Sequence, residues 1–166
     1  MHPATTIANE LLRIANAAGD PLTHLKLQKL VYFSHGWHLA LTDGRPLIRE
    51  SIEAWKYGPV VRELYREFAS YGKGIIDKFY GSLCWKNGKV AFNQPALPVT
   101  AEFENGLLDR IWEVYGALTP YQLSAMSHEP GSPWDKARKA DRDVIPNEDI
   151  LEYFSRQRAA APSAAS

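Results

Sequence analysis

The segment between Thr23 and Thr42 predicts a helix that is apolar on almost every side. Thr23 suits the N-cap of this helix, which is expected to end near Thr42. The apolar positions around the helix are Leu27, Leu30, Val31, Phe33, Trp37, Leu39 and Leu41. A helix with so little polar surface has to be surrounded by the rest of the chain. We therefore expect it at the centre of the domain, with its polar end at Lys26, Gln28 and Lys29.

Elements on both sides of this helix can also be predicted. An apolar stripe with helical spacing precedes it and consists of Ile7, Leu11, Ile14 and Ala18. Residues 52–57 are typical of a short strand, and Pro59 suits the first position of a helix, where its missing N–H costs nothing. The stripe expected to be buried on that helix is Val60, Val61, Leu64, Tyr65 and Phe68. Further helices are predicted from Thr100, from Thr119-Pro120 and from Ser132-Pro133, with a last helical turn or two around Ile150, Tyr153 and Phe154.

Residues 82–93 predict a β-hairpin. Asn87-Gly88 favours a type I′ turn, whose two central residues both need positive φ. This turn would pair Lys86 with Lys89, Trp85 with Val90, Cys84 with Ala91 and Leu83 with Phe92. Because a two-stranded hairpin is marginal alone, we expect it to pack on helices or to join the strand at 52–57. The fold class predicted is α+β and predominantly helical, with one compact domain over residues 1–158, a small antiparallel sheet or hairpin, and a disordered tail at 159–166.

The composition excludes several classes of protein. Lys plus Arg and Asp plus Glu both number 19 among the 166 residues, so the net field of a nucleic-acid-binding protein is missing. Cys84 is the only cysteine, which excludes an internal disulfide. The N-terminal residues do not resemble a secretory signal, and no apolar run is long enough to span a bilayer. We expect a cytoplasmic protein that binds neither membranes nor nucleic acid.

Few residues suggest chemistry. His35 and His38 lie three positions apart on the central helix, and two such positions cannot complete a zinc site alone, so we favour hydrogen-bonded core histidines over a metal site. Ser127-His128 lacks a nucleophile elbow, and neighbours in sequence seldom point at each other. Cys84 has no obvious activator. The acidic residues near the C-terminus fit a helix start and a solvated loop better than catalytic carboxylates, and are Asp141, Asp143, Glu148 and Asp149. We predict no catalytic residues, no metal and no cofactor.

The segment Trp55-Lys56-Tyr57-Gly58-Pro59 allows two interpretations. Trp55 and Tyr57 could fill the core beneath the following helix. Alternatively, aromatic side chains and a cation ahead of a rigid helix start could dock a partner protein. The sequence leaves both open.

The chain resembles the Panacea-domain family, which includes SocA-like antitoxins and GepA-type phage-associated proteins. The motifs that carry the resemblance are Leu27-Gln28-Lys29-Leu30, Tyr32-Phe33, His35-Gly36-Trp37-His38-Leu39, Pro46-Leu47, Glu53-Ala54-Trp55, Tyr57-Gly58-Pro59-Val60, Leu64-Tyr65, Tyr71-Gly72, Tyr115-Gly116, Leu123-Ser124, His128, Pro133-Trp134, Ala137-Arg138, Ile150 and Tyr153-Phe154. They extend over about residues 5–154. Ser127 stands where the family pattern would have Thr, and it keeps the hydroxyl.

The resemblance implies an antitoxin of a bacterial or phage toxin–antitoxin module that neutralises its toxin by direct protein contact. The alternative it implies is an adaptor that delivers the bound toxin to a cellular AAA+ protease. An enzyme of unknown class using His35 or His128 is a third hypothesis. The surface where the polar end of the central helix approaches the 55–62 segment is the predicted toxin-binding site, with Lys26, Gln28, Lys29, Trp55, Lys56, Tyr57 and Arg62.

Overall fold

A computed structural model describes residues 1–160. Its α-helices are α1 (Ala4–Ala17), α2 (His24–Leu41), α3 (Arg62–Phe68), α4 (Glu102–Tyr115), α5 (Pro120–Ser127), α6 (Pro133–Lys139) and α7 (Asn147–Ala160), and a 3-10 turn covers Ala69–Tyr71. Its strands are β1 (Ile52–Trp55), β2 (Gly58–Val61), β3 (Ser82–Lys86), β4 (Lys89–Asn93) and β5 (Val144–Ile145). The predicted fold class, α+β and mostly helical, is confirmed.

Helix α2 lies at the centre of the fold, as predicted. The Thr23 hydroxyl caps it by accepting a hydrogen bond from the backbone N–H of Lys26. Helices α1, α4, α5 and α7 and strand β2 all pack against α2. Leu27 and Leu30 are completely buried. The apolar character of α2 therefore has a direct cause, because other elements cover it on most sides, and Leu41 at its C-terminal end is exposed.

Helix α7 makes the most extensive packing against α2 and is longer than the turn or two predicted. The Phe154 ring rests on Gly36 of α2 so closely that a side chain at position 36 would collide with it. The ring also meets Trp37 edge to face, with 5.5 Å between ring centroids. The helix extends to Ala160, so residues 159 and 160 of the predicted tail are helical. Residues 161–166 lie outside the described part of the chain.

The predicted strand at 52–57 forms the middle of a three-stranded antiparallel sheet in the order β2-β1-β5. The prediction that Pro59 starts a helix is wrong, because Pro59 lies in β2 opposite Ala54 and α3 begins at Arg62. Strand β2 lies at the edge of the sheet, where the missing N–H of proline does not interrupt the ladder. The polypeptide therefore makes a tight β1–β2 turn at Lys56 and Tyr57 before entering α3.

The hairpin forms with the predicted register. Asn87 and Gly88 have φ of 54° and 73°, and Trp85 pairs with Val90 as expected from the type I′ turn. The hairpin was expected either to pack on helices or to join the strand at 52–57, and the second alternative is excluded because β3 and β4 form a separate two-stranded sheet.

Of the three helix starts predicted after residue 99, two are confirmed and one differs. Thr119 forms a capping box with Gln122, and the Ser132 hydroxyl caps α6. The N-cap of α4 is Ala101 and not Thr100. Within residues 1–160, no helix has both the length and the apolar character that crossing a membrane requires.

Candidate functional site

The β1–β2 turn is held from beneath by Lys29. The Lys29 ammonium nitrogen Nζ donates hydrogen bonds to the carbonyl oxygens of Tyr57, at 2.9 Å, and Pro59, at 3.0 Å. Lys29 is 0% exposed, and no carboxylate within residues 1–160 forms an ion pair with it. Burial in a site without a counter-ion lowers the pKa of Lys29 from 10.5 to about 7. Lys29 was predicted as a toxin contact, and its burial makes that prediction wrong for the folded domain.

Gly58 allows the close approach between this turn and Lys29. Its φ of +104° is unfavourable for any residue with a side chain. A Cβ at this position would collide with Lys29 Nζ and would lie 3.0 Å from Ser127 Oγ and 3.1 Å from His128 Cε1. Lys29 and Gly58 belong to separate sequence motifs. Because they are in contact, a side chain at position 58 would displace Lys29 Nζ.

Gln28 takes the place of a strand partner at the free edge of β2. Its Oε1 accepts from the Val61 backbone N–H at 2.9 Å, and its Nε2 donates to the Val61 carbonyl at 3.0 Å. Gln28 is buried. Its predicted role as a toxin contact is therefore also wrong, and its amide satisfies backbone groups that an edge strand would otherwise leave unpaired.

Lys26 is the third predicted contact that proves to be buried. Its Nζ donates to the Gly116 carbonyl at 2.6 Å and to Asp20 Oδ2 at 3.1 Å, and lies 5.4 Å from the centre of the Trp112 ring. A cation at this carbonyl satisfies the C-terminal end of α4. Lys26 lies away from the β1–β2 turn and stabilises the packing of α2 against α4.

Four predicted site residues do reach the surface together. Trp55 donates from Nε1 to Glu53 Oε2 at 2.7 Å, and Arg62 makes two hydrogen bonds of 2.8 and 2.6 Å to the same carboxylate. The Arg62 guanidinium also lies 5.6 Å from the centre of the Trp55 ring. Hydrogen bonding from Arg62 holds the pKa of Glu53 below its ordinary value. Lys56 and Tyr57 project from the tip of the turn, with Lys56 Nζ 5.4 Å from the Tyr57 ring centre. We call Trp55, Lys56, Tyr57 and Arg62 the turn surface.

Tyr65 is an addition to this surface that the sequence pattern misplaced. It was predicted in the buried stripe of α3, but it is 42% exposed. Its ring lies 4.8 Å from the Trp55 ring and 5.3 Å from the His24 ring, centroid to centroid. The prediction failed because it started the helix too early. Since α3 starts at Arg62 and not at Pro59, its inward face consists of Leu64 and Phe68, and Tyr65 lies at the edge of that face.

The interpretation of His35 and His38 as hydrogen-bonded core residues is confirmed. His35 Nε2 lies 2.9 Å from Asn147 Oδ1, and His38 Nδ1 lies 2.7 Å from the Arg45 carbonyl. Burial lowers the pKa of His35 to about 4 and also lowers that of His38, so both rings are neutral at pH 7. Within residues 1–160, no group of three metal-ligating side chains is assembled.

Ser127 and His128 do not form a nucleophile and base. The Ser127 hydroxyl donates to the Ser124 carbonyl at 2.8 Å, and the His128 Nδ1 is directed at the same oxygen. Ser127 is 2% exposed, so its hydroxyl is shielded from solvent. Cys84 lies half-buried in the hairpin. Glu148 and Asp149 stand in the first turn of α7, as predicted, and Asp149 pairs with Arg142 at 3.0 Å.

Comparison with known proteins identifies the family. Residues 27–135 match the family described as antitoxin SocA-like, Panacea domain. The matched range begins within α2, contains the β1–β2 turn and ends in α6. The chain belongs to this family.

A curated relative agrees with the family match. The chain is 37% identical over 133 residues to the antitoxin SocA of Caulobacter vibrioides (strain NA1000 / CB15N), which covers 80% of this chain and 68% of the relative. No solved structure matches the chain significantly. Membership of the SocA-like family supports an antitoxin role in a toxin–antitoxin context.

Proposed function

We propose that this protein neutralises a cognate toxin by binding it directly through the turn surface. The observation that carries the proposal is Tyr57, which is 69% exposed at the tip of a turn whose backbone is fixed from beneath by Lys29. An exposed tyrosine on a turn whose backbone is already fixed can enter an interface with little loss of conformational entropy. A toxin protein is the partner that the family membership suggests.

The composition of the turn surface fits protein recognition. Tryptophan, tyrosine and arginine are the residues that most often dominate the binding energy of protein interfaces. Trp55 and Arg62 are already fixed by Glu53, so less side-chain entropy would be lost when a partner binds. Lys56 has no carboxylate partner within residues 1–160, and it is thus available for an acidic group of the toxin.

The experiment uses the protein encoded by the gene adjacent to that of this chain. We expect that protein to arrest growth alone and the two proteins together to restore growth and to co-purify. Tyr57→Ala combined with Lys56→Glu should lose both effects without a change in melting temperature, because both side chains are exposed. The matched control is Val99→Ala combined with Lys73→Glu, which removes an exposed apolar side chain and reverses a charge elsewhere.

Three results of this experiment separate the hypotheses. A harmless neighbour, or toxicity that persists beside stable antitoxin, would contradict the proposal. If the toxin disappears when both proteins are made and returns in cells lacking an AAA+ protease, the protein is an adaptor and not a stoichiometric inhibitor. If the Tyr57 and Lys56 variant still neutralises fully, the toxin binds elsewhere on the antitoxin.

A further inference from the structure

The β3–β4 hairpin exposes several large apolar side chains on its surface. Four of its large apolar side chains are between 59% and 77% exposed, and they are Leu83, Trp85, Val90 and Phe92. The register places Trp85 opposite Val90 and Leu83 opposite Phe92. Because side chains alternate between the two sides of a strand, these two pairs share one face. We call these four residues the hairpin face. Contiguous exposed apolar patches of this kind mark interaction sites.

The hairpin lacks the cover that a two-stranded sheet needs. Isolated two-stranded hairpins are marginally stable in water and gain stability when another element covers an apolar face. No third strand among residues 1–160 pairs with β3 or β4. On the opposite face Cys84 and Ala91 are only partly buried. The apolar face and the free strand edges are therefore both available to a partner.

The charges around the hairpin indicate what kind of partner it fits. Residues 73–99 contain four lysines (Lys73, Lys78, Lys86 and Lys89) and one acidic residue (Asp77), a local balance of 4 − 1 = +3 in a chain with no net charge. Lys86 and Lys89 are direct cross-strand neighbours at the tip of the hairpin, on the side opposite the hairpin face. Like charges directly opposite each other destabilise a strand pair. Carboxylates of a partner would relieve this repulsion.

We infer that the hairpin face docks on an apolar patch of the toxin and that acidic residues of the toxin reach Lys86 and Lys89 around the tip of the hairpin. This inference rests on the proposed function and adds a second contact to the turn surface. A protein partner fits better than a nucleic acid, because Leu83 and Val90 are aliphatic and cannot stack on bases as aromatic side chains do. The hairpin then gains from the toxin the cover that its own domain does not supply.

Hydrogen exchange of the antitoxin, free and mixed with the adjacent gene product, tests the inference. In the complex we expect slower exchange of the amides in residues 82–93 as well as those around Tyr57. Binding that protects the Tyr57 turn but leaves residues 82–93 unchanged would overturn this inference and leave the proposed function intact. If the two proteins do not bind at all, the proposed function fails and this inference fails with it.

Two double variants with matched controls give a second readout. Trp85→Ser with Phe92→Ser should weaken toxin binding at least tenfold, whereas Ile75→Ser with Val99→Ser, which also removes exposed apolar side chains, should stay within twofold. Lys86→Glu with Lys89→Glu should weaken binding more than Lys73→Glu with Lys78→Glu, although both pairs change the net charge equally.

Three outcomes contradict the assignment of the partner. Hairpin variants that bind the toxin as wild type does would show that the toxin leaves this face free. Self-association in sedimentation that is lost only in Trp85→Ser with Phe92→Ser would identify a second copy of this chain as the occupant. Binding of a fluorescein-labelled single-stranded oligonucleotide that depends on Trp85 would identify a nucleic-acid site.

Discussion

Charged side chains are usually exposed and large apolar ones usually buried. The β1–β2 turn and the β3–β4 hairpin depart from this pattern in opposite ways. Beneath the turn, the cation of Lys29 is completely buried, whereas on the hairpin Trp85 is 77% exposed. The buried lysine is tolerated because two carbonyl oxygens accept hydrogen bonds from it. The exposed tryptophan has no comparable compensation within its own domain. The difference is that the fold itself supports the turn from beneath, whereas the hairpin face stays uncovered within residues 1–160, and we propose that the toxin covers it.

The largest effect is expected from Lys29→Met. The substitution leaves two carbonyl oxygens without their donor, and each unsatisfied buried acceptor costs about 1–3 kcal/mol. Relief from burying the amine offsets part of that cost, so we expect a loss of about 2–4 kcal/mol in the free energy of unfolding at pH 9, where the folded-state amine is mostly neutral. Urea denaturation measures it. Lys56→Met, at an exposed lysine of the same turn, is the control and should change stability by about 0.5 kcal/mol or less.

A smaller loss is expected from Gly58→Ala. The new Cβ would meet Lys29 Nζ, and φ of +104° would be strained for alanine. Strain of this kind costs about 1–3 kcal/mol. Gly106→Ala in α4, where a Cβ meets nothing within 4 Å, is the control and should not destabilise the protein. An equal loss in both variants would mean that the turn is not tightly packed on Lys29.

The pH dependence of stability tests the state of Lys29. The pKa of Lys29 is about 7 in the folded protein and returns to about 10.5 on unfolding. Between these values the unfolded state binds more protons, so the contribution of Lys29 makes the free energy of unfolding rise with pH from about 7 to about 10. Below pH 7 this contribution is flat. Denaturation series of wild type and Lys29→Met should therefore diverge as the pH rises, and parallel curves would contradict a lowered pKa.

The smallest effect on folding is expected from Trp85→Ser. A side chain that is 77% exposed contributes little packing to its own domain, so the free energy of unfolding should change by about 0.5 kcal/mol or less. A loss comparable to that of Lys29→Met would show that the hairpin packs within the domain after all. Calorimetry of the isolated protein distinguishes the two results.

Local signals in the sequence predicted a large part of the fold. Asn87-Gly88 indicates the hairpin register, because those residues favour a type I′ turn. The caps at Thr23, Thr119 and Ser132 mark helix starts through hydrogen bonds three residues away. Signals of this kind involve neighbours in the chain and can be read without tertiary structure.

The candidate site was harder to predict because its contacts are distant in sequence. Lys29 donates to a carbonyl 28 residues away, Gln28 to one 33 residues away and Lys26 to one 90 residues away. From sequence alone, a polar side chain on a helix is expected to face solvent, because the distant carbonyl oxygen that accepts its hydrogen bond cannot be identified. Three of the seven predicted contacts, Lys26, Gln28 and Lys29, are therefore buried, while Trp55, Lys56, Tyr57 and Arg62 reach the surface.

The central claim is that the turn surface binds the toxin. Isothermal titration of the adjacent gene product into wild type, Lys56→Glu and Lys73→Glu tests it most directly, since both substitutions reverse one exposed lysine. We predict that Lys56→Glu weakens binding at least tenfold, which corresponds to about 1.4 kcal/mol, while Lys73→Glu stays within twofold and all three melting temperatures agree. Equal affinity of Lys56→Glu and wild type would contradict the claim.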